Sequence, residues 1–122
     1  MYFVIDIDQA SFAFRLACAV VLGLVIGLER DLKGKAAGVR TFATLCAASC
    51  LLGYVSTLTD WDPMRLAVGV VTGIGFLGAG AMIKDGASVT GLTTAAIIWA
   101  ASAISLTMIR RSCSTRGWRR IL

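Results

Sequence analysis

Few residues in this 122-residue chain could carry out acid–base or metal chemistry. It has no histidine, which removes imidazole bases, histidine metal ligands and Ser-His-Asp triads. The cysteines lie in apolar runs or in a basic C-terminal segment, without the spacing of a metal site or a disulfide framework: Cys18, Cys46, Cys50 and Cys113. We therefore expect no catalytic, cofactor-binding or metal-binding residues, and no enzymatic activity.

The acid of most chemical interest is Glu29, which lies at the end of an apolar stretch and is followed by Arg30. A proton- or cation-coupled carrier normally keeps an ionisable group inside the membrane. Mg²⁺ usually requires one or two carboxylates, so hydroxyl groups alone would make a poor path for it. Such hydroxyls occur at Thr72, Thr90, Thr93, Thr94, Ser102 and Ser105. We interpret Glu29 as part of an interfacial ion pair with Arg30 or Arg40, with ion binding as the alternative.

A glycine-rich run, GVVTGIGFLGAGAMI, occupies residues 69–83. Gly73, Gly75 and Gly78 match the dinucleotide fingerprint G-x-G-x-x-G, but that fingerprint needs a preceding strand and an acid about 20 residues later. Here the glycines lie inside an apolar stretch, where small residues let neighbouring helices approach closely. We therefore predict that these three glycines face neighbouring helices, with a bend in the helix as the alternative. Gly23 and Gly27 predict close packing for the first helix.

Long uncharged stretches predict the elements that must position these residues. They cover 16–28, 41–59, 66–83 and 86–109, and the whole chain is 57% hydrophobic and only 16% charged. A transmembrane helix needs about 20 apolar residues. We predict an all-α fold, an integral membrane protein with a bundle of about four transmembrane helices, near 11–28, 41–59, 64–83 and 92–109. A buried globular helix is the alternative for the first stretch.

The distribution of charge predicts the orientation of the bundle. The 29–40 loop is basic, whereas the opposite side carries Asp6, Asp8, Asp60 and Asp62. The positive-inside rule places the loop in the cytoplasm and the N-terminus outside. Four spans would also place the segment 110–122 outside, although its five arginines favour the cytoplasm. We expect this segment to contact anionic lipid rather than nucleic acid.

Two segments in the same order, GLERDLKGKAAGVRT and DPMRLAVGVVTGIGFLGAGAMIKDGASVTGLTTAAIIWAASAI, resemble the N-terminal membrane domain of the MgtC/SapB family. The resemblance covers about residues 15–104. It implies a transmembrane domain over 1–109 and a basic tail over 110–122. Typical members continue with a fifth helix and often a soluble domain, so we expect a chain truncated after the fourth helix.

The resemblance also implies a function. It suggests a multi-pass protein of the bacterial inner membrane, linked to growth in low magnesium and to virulence. The expected role is non-enzymatic regulation of partner membrane proteins, with the ATP synthase or a transporter as candidates, and with helix-mediated self-association. The alternative is a Mg²⁺ transporter or an accessory subunit of one. The positions on the family pattern are Glu29, Arg30, Arg40, Thr41, Gly73, Gly75, Gly78, Gly80, Gly91, Thr93, Thr94 and Trp99.

Overall fold

The computed structural model describes the backbone of residues 2–58 and 62–121, and the side chains of 10–56, 62, 64–83 and 86–108. Its elements are α1 (Tyr2–Leu32), α2 (Val39–Leu58), α3 (Pro63–Gly80), β1 (Ile83–Asp85), β2 (Ser88–Thr90) and α4 (Leu92–Ile121). The predicted four-helix, all-α architecture is confirmed for the described backbone, with one short hairpin added. The side chains of Asp6, Asp8, Asp60 and the five C-terminal arginines lie outside the described residues.

Several helix boundaries differ from the predicted ones. α1 begins at Tyr2, ahead of residue 11, because no glycine or proline interrupts residues 2–22. α3 ends at Gly80 rather than 83, because residues 83–85 pair in the hairpin. α4 continues to Ile121, so the backbone of the basic segment is helical rather than a separate tail. The predicted start of α3 is confirmed, since Asp62 Oδ1 accepts a hydrogen bond from Met64 N at 2.9 Å ahead of Pro63.

Two helices are long and apolar enough to cross a membrane, at Ala10–Leu32 and Val39–Ser56. The apolar parts of the other two are shorter, Met64–Gly80 and Leu92–Met108. The outer surfaces of the helices are themselves apolar: Phe14 is 72% exposed and Phe76 is 81% exposed. Large exposed apolar surfaces are rare in soluble monomers and are typical of a face covered by lipid or by another chain. Helix length alone therefore supports two of the four predicted spans.

Helix α2 lies at the centre of the bundle and packs against α1 and α4, while α3 packs mainly against α4. Phe42, Cys46 and Cys50 form a fully buried line along α2, which confirms the interpretation of the two thiols as small buried groups. At the far end of the bundle, the Phe12 and Tyr54 rings stack with their centroids 4.0 Å apart. These contacts establish that α1 and α2 run antiparallel.

Close approach of α1 and α2 depends on Gly23 and Gly27. A Cβ added at Gly23 would lie 2.5 Å from the Phe42 carbonyl oxygen, and one added at Gly27 would lie 2.5 Å from Val39 Cα. Both neighbouring atoms belong to the backbone, which cannot rotate away as a side chain can. The predicted role of these two glycines in helix packing is confirmed.

An arginine links α1 to the far part of α4. Arg15 is half-buried, and its Nη1 donates to the Met108 carbonyl oxygen. Long basic side chains near helix ends often extend to the lipid headgroups. In the structure the guanidinium instead contributes a contact between two helices.

Candidate functional site at the basic end of the bundle

The antiparallel order brings five chain segments to one end of the bundle. These are the end of α1, residues 33–38, the start of α2, the hairpin and the start of α4. Eight of the twelve positions on the family pattern lie at this end: Glu29, Arg30, Arg40, Thr41, Gly80, Gly91, Thr93 and Thr94. Gly73, Gly75, Gly78 and Trp99 lie farther along α3 and α4, and Trp99 is half-exposed.

Glu29 is paired with two cations. Its Oε1 lies 3.1 Å from Arg30 Nη2 and 2.6 Å from Lys33 Nζ. The pair with Arg30 was predicted, whereas the described side chains show no ion pair between Glu29 and Arg40. Lys33 was missed, although its position four residues after an acid on one helix was a usable signal. The charge of Glu29 is thus compensated by protein groups rather than left open for a metal ion.

Arg30 is the buried member of this network. Its side chain is only 8% exposed, against 53% for Glu29. Arg30 Nε is enclosed without a hydrogen-bond partner among the described residues, and the Arg30 carbonyl oxygen accepts from Lys35 N at 3.0 Å. Burying the Arg30 guanidinium with only one ion pair costs free energy, because the charge loses its contact with water. The hydrogen bond from Lys35 N to the Arg30 carbonyl oxygen joins the end of α1 to the following loop. The enclosed Arg30 Nε is not accessible to an anion from solvent.

The loop between α1 and α2 is held by Asp31. Asp31 Oδ2 accepts a hydrogen bond from Val39 N at 3.1 Å, which satisfies a free donor at the start of α2. Gly38 lies against the same carboxylate, since an added Cβ would fall 1.9 Å from Asp31 Oδ1. With the loop fixed in this way, Lys33, Lys35 and Arg40 are exposed on one end of the molecule. We call these three side chains the basic surface.

The hairpin between α3 and α4 brings Gly91 close to the backbone at the end of α3. Ile83 pairs with Thr90 and Asp85 with Ser88, with the turn at Gly86 in a left-handed conformation (φ +61°). The sequence analysis predicted no strands here, although Asp-Gly beside Ser-Val-Thr is a hairpin signal. Gly91 has φ +86°, and an added Cβ would lie 2.2 Å from the Ala81 carbonyl oxygen. Only glycine fits where the hairpin returns to α4.

Four of the six hydroxyl groups that could have lined an ion path, those of Thr72, Thr90, Ser102 and Ser105, donate to backbone carbonyl oxygens. Thr72 Oγ1 donates to the Val68 carbonyl oxygen at 2.8 Å, and the hydroxyls of Ser102 and Ser105 donate to carbonyl oxygens three and four residues earlier in α4. Thr94 is buried at the start of α4, while Thr93 is exposed. Across the described residues, no group of three His, Cys, Asp or Glu side chains could hold a metal ion.

The glycines of α3 differ from the prediction that they face neighbouring helices. Gly78 does so, because an added Cβ would meet Ala95 Cβ at 3.6 Å. Gly73 and Gly75 have nothing within 4 Å of an added Cβ, so the prediction for these two is wrong within the chain. The reason is rotational: α3 turns its Gly78 side toward Ala95 of α4, and with a period of 3.6 residues Gly73 and Gly75 lie at other angles around the helix.

Comparison of the sequence with known proteins finds bacterial relatives. The model of the MgtC family matches residues 16–114. An uncharacterized protein of Haemophilus influenzae is 46% identical over 111 residues, covering 81% of this chain and 47% of the relative. "Putative magnesium transporter YhiD" of Escherichia coli K12 is 39% identical, covering 80% of this chain and 50% of YhiD. "Protein MgtC" of Brucella abortus is 41% identical, covering 80% of this chain and 42% of that protein.

The chain spans about half the length of the curated relatives it matches. No solved structure matches it.

Proposed function

Because the chain belongs to the MgtC family, we propose that it is a non-enzymatic regulator in the bacterial inner membrane, linked to adaptation to low magnesium and to virulence. The observation that supports this proposal most directly is that the Glu29 carboxylate is already ion-paired. The carboxylate is engaged by Arg30 and Lys33, beside an exposed basic surface. A carboxylate already paired with two cations is poorly suited to carry Mg²⁺, whereas exposed basic groups suit docking to acidic partners.

The proposed partner is another membrane protein, with the ATP synthase or a transporter as candidates. The basic surface of Lys33, Lys35 and Arg40 would meet an acidic cytoplasmic face of that partner. Complementary charge of this kind steers association and selects partners more than it adds affinity. Self-association through exposed helix faces would add a second level of assembly, and the apolar outer surfaces of α1 and α3 support it.

The second candidate function is Mg²⁺ transport, or an accessory role in it. The printed name of the Escherichia coli relative YhiD favours this candidate. The two candidates differ in whether protein alone moves the ion, so reconstitution can separate them.

Glu29→Gln is the variant that distinguishes the two candidates. For a regulator, purified protein in sealed vesicles should move no Mg²⁺, and Glu29→Gln should change folding only slightly, since an exposed ion pair contributes about 0–1 kcal/mol. An entrapped Mg²⁺-sensitive dye measures the flux, and a thermal melt in detergent measures the folding. Saturable flux that Glu29→Gln abolishes, and that Arg40→Gln leaves intact, would favour the transporter.

All four helices are proposed to cross the membrane, with the basic surface in the cytoplasm and the α2–α3 connection outside. The motive is the asymmetry of basic residues between the two ends of the bundle. The seventeen residues of the short, mostly apolar helix Met64–Gly80 extend about 25 Å at 1.5 Å per residue, slightly less than the typical hydrocarbon thickness. A small local thinning of the bilayer accommodates such a helix.

Cysteine labelling tests this orientation. A cysteine in place of Lys35 should react with an impermeant maleimide only after the cells are opened, whereas a cysteine in place of Trp61 should react in cells whose outer membrane alone is permeable. The unsubstituted chain is the control that measures background labelling of its own four cysteines, of which Cys46 and Cys50 are buried. Labelling of position 35 from outside would contradict the proposed orientation.

A further inference from the structure

A deep groove runs between α2 and α3, with a volume of about 1020 Å³. It forms because α3 packs mainly against α4 and diverges from α2. On the α2 side the wall includes Leu45 and Leu52, and on the α3 side it includes Val70 and Leu77. The groove lies on the side of the bundle away from the ion pairs of Glu29, so it is separate from the candidate site.

The chemistry of the groove changes along its length. Arg65 and Asp62 lie at the end next to the α2–α3 connection, both exposed, and beyond them the α3 wall is made of apolar or small residues as far as Leu77. The thirteen residues from Arg65 to Leu77 extend about 18 Å along the helix, first Cα to last. This length is comparable with one leaflet's share of the hydrocarbon core, about 15 Å. The groove is therefore charged at one end and apolar along the rest of its length, like a lipid molecule oriented along the membrane normal.

The floor of the groove is open because two glycines form part of it. Gly69 and Gly73 lie one turn apart, and a Cβ added to either would have nothing within 4 Å. The described residues thus leave space over both glycines. A flexible hydrocarbon chain can follow such a channel, and side chains at these two positions would fill it.

We propose that this groove holds one phospholipid from the leaflet at the α2–α3 connection. The phosphate binds the Arg65 guanidinium, whose planar donors suit a phosphate group. An ethanolamine ammonium binds Asp62, which already accepts from Met64 N through Oδ1 and has a second carboxylate oxygen. One acyl chain lies over Gly69 and Gly73. The inference rests on the membrane-spanning arrangement proposed above and is independent of the regulatory role.

Charge complementarity favours a phospholipid over a helix as the occupant. An apolar helix of another protein would fill the apolar part of the groove, but nothing in its apolar face would meet Arg65 and Asp62. A zwitterionic headgroup supplies an anion and a cation within one molecule. Both lie at the membrane surface, which is the level proposed for Arg65 and Asp62. Among the described side chains, no ion pair involves Arg65.

Native mass spectrometry of the full chain, purified in mild detergent from membranes containing phosphatidylethanolamine and phosphatidylglycerol, tests this inference. The unsubstituted protein should retain one phosphatidylethanolamine. Arg65→Gln should lower the retained fraction by about tenfold or more, as loss of a charged hydrogen bond implies. The double variant Gly69→Leu/Gly73→Leu should lower it similarly by filling the channel.

Gly75→Leu is the matched control. It adds the same side chain to the same helix, also into open space, but Gly75 does not line the groove. It should therefore retain the lipid. Asp62→Asn keeps the helix cap, and it should remove the preference for phosphatidylethanolamine over phosphatidylglycerol.

Three results would overturn the inference. One is equal lipid retention by the double glycine variant and by Gly75→Leu in chains that remain in the membrane. Another is a doubled mass that the double variant halves, which would assign the groove to a second copy. The last is that the unsubstituted chain retains phosphatidylglycerol in preference to phosphatidylethanolamine. A chain that alkaline carbonate extracts from membranes would instead refute the spanning arrangement itself.

Discussion

Gly23→Leu is expected to prevent stable assembly of α1 against α2. At this position even a Cβ would lie 2.5 Å from the Phe42 carbonyl oxygen and 2.8 Å from Ala43 Cα. Both atoms are backbone, so the two helices must separate before a larger side chain can be accommodated. Overpacking of a well-packed interface typically costs about 1–3 kcal/mol, and the leucine here is expected at the upper end of that range. A thermal melt in detergent, followed by circular dichroism, measures the loss.

The control for this prediction is Gly75→Leu, which introduces the same side chain into open space on α3. It should melt close to the unsubstituted protein or slightly above it, because glycine in a helix interior costs about 1 kcal/mol relative to good helix formers. Equal melting temperatures for Gly23→Leu and Gly75→Leu would contradict the α1–α2 contact. Gly75 was one of the three glycines predicted from sequence to face neighbouring helices, so this expectation differs from the one that the sequence alone supports.

Gly91→Ala is expected to disrupt the junction between the hairpin and α4. The residue has φ +86°, where a side chain brings backbone strain of about 1–3 kcal/mol. The added Cβ would also lie 2.2 Å from the Ala81 carbonyl oxygen, at the end of α3. We therefore expect a loss of stability greater than strain alone produces, with α3 and α4 displaced from each other. Limited proteolysis of the hairpin and thermal melting both report it.

Gly86→Ala separates the two causes, because Gly86 has φ +61° with nothing within 4 Å of an added Cβ. This variant carries the strain without the contact, so its loss of stability should be clearly smaller than that of Gly91→Ala. If the two variants lose the same stability, the contact with Ala81 contributes nothing, and the explanation for Gly91 is wrong.

Local sequence was enough to predict features that depend on neighbours along the chain. The uncharged stretches predicted four helices, with a start of the third that agrees with the Asp62–Pro63 cap, and adjacent charges predicted the pair of Glu29 with Arg30. Each of these rests on short-range physics: hydrophobic length, a helix cap, or a charge pair close in sequence. The short hairpin between α3 and α4 was missed although its Asp-Gly turn was visible, because three-residue strands have little pattern of their own.

What the sequence alone determined is thus the set of helices, their apolar character and the basic surface at one end. The tertiary structure decided which face of each helix is inside. In α3 almost every face is apolar or small, so no polar stripe distinguishes inside from outside, and Gly73 and Gly78 look alike in sequence. Contacts decide between them: Gly78 packs against Ala95 of α4, whereas Gly69 and Gly73 are open along the groove beside α2.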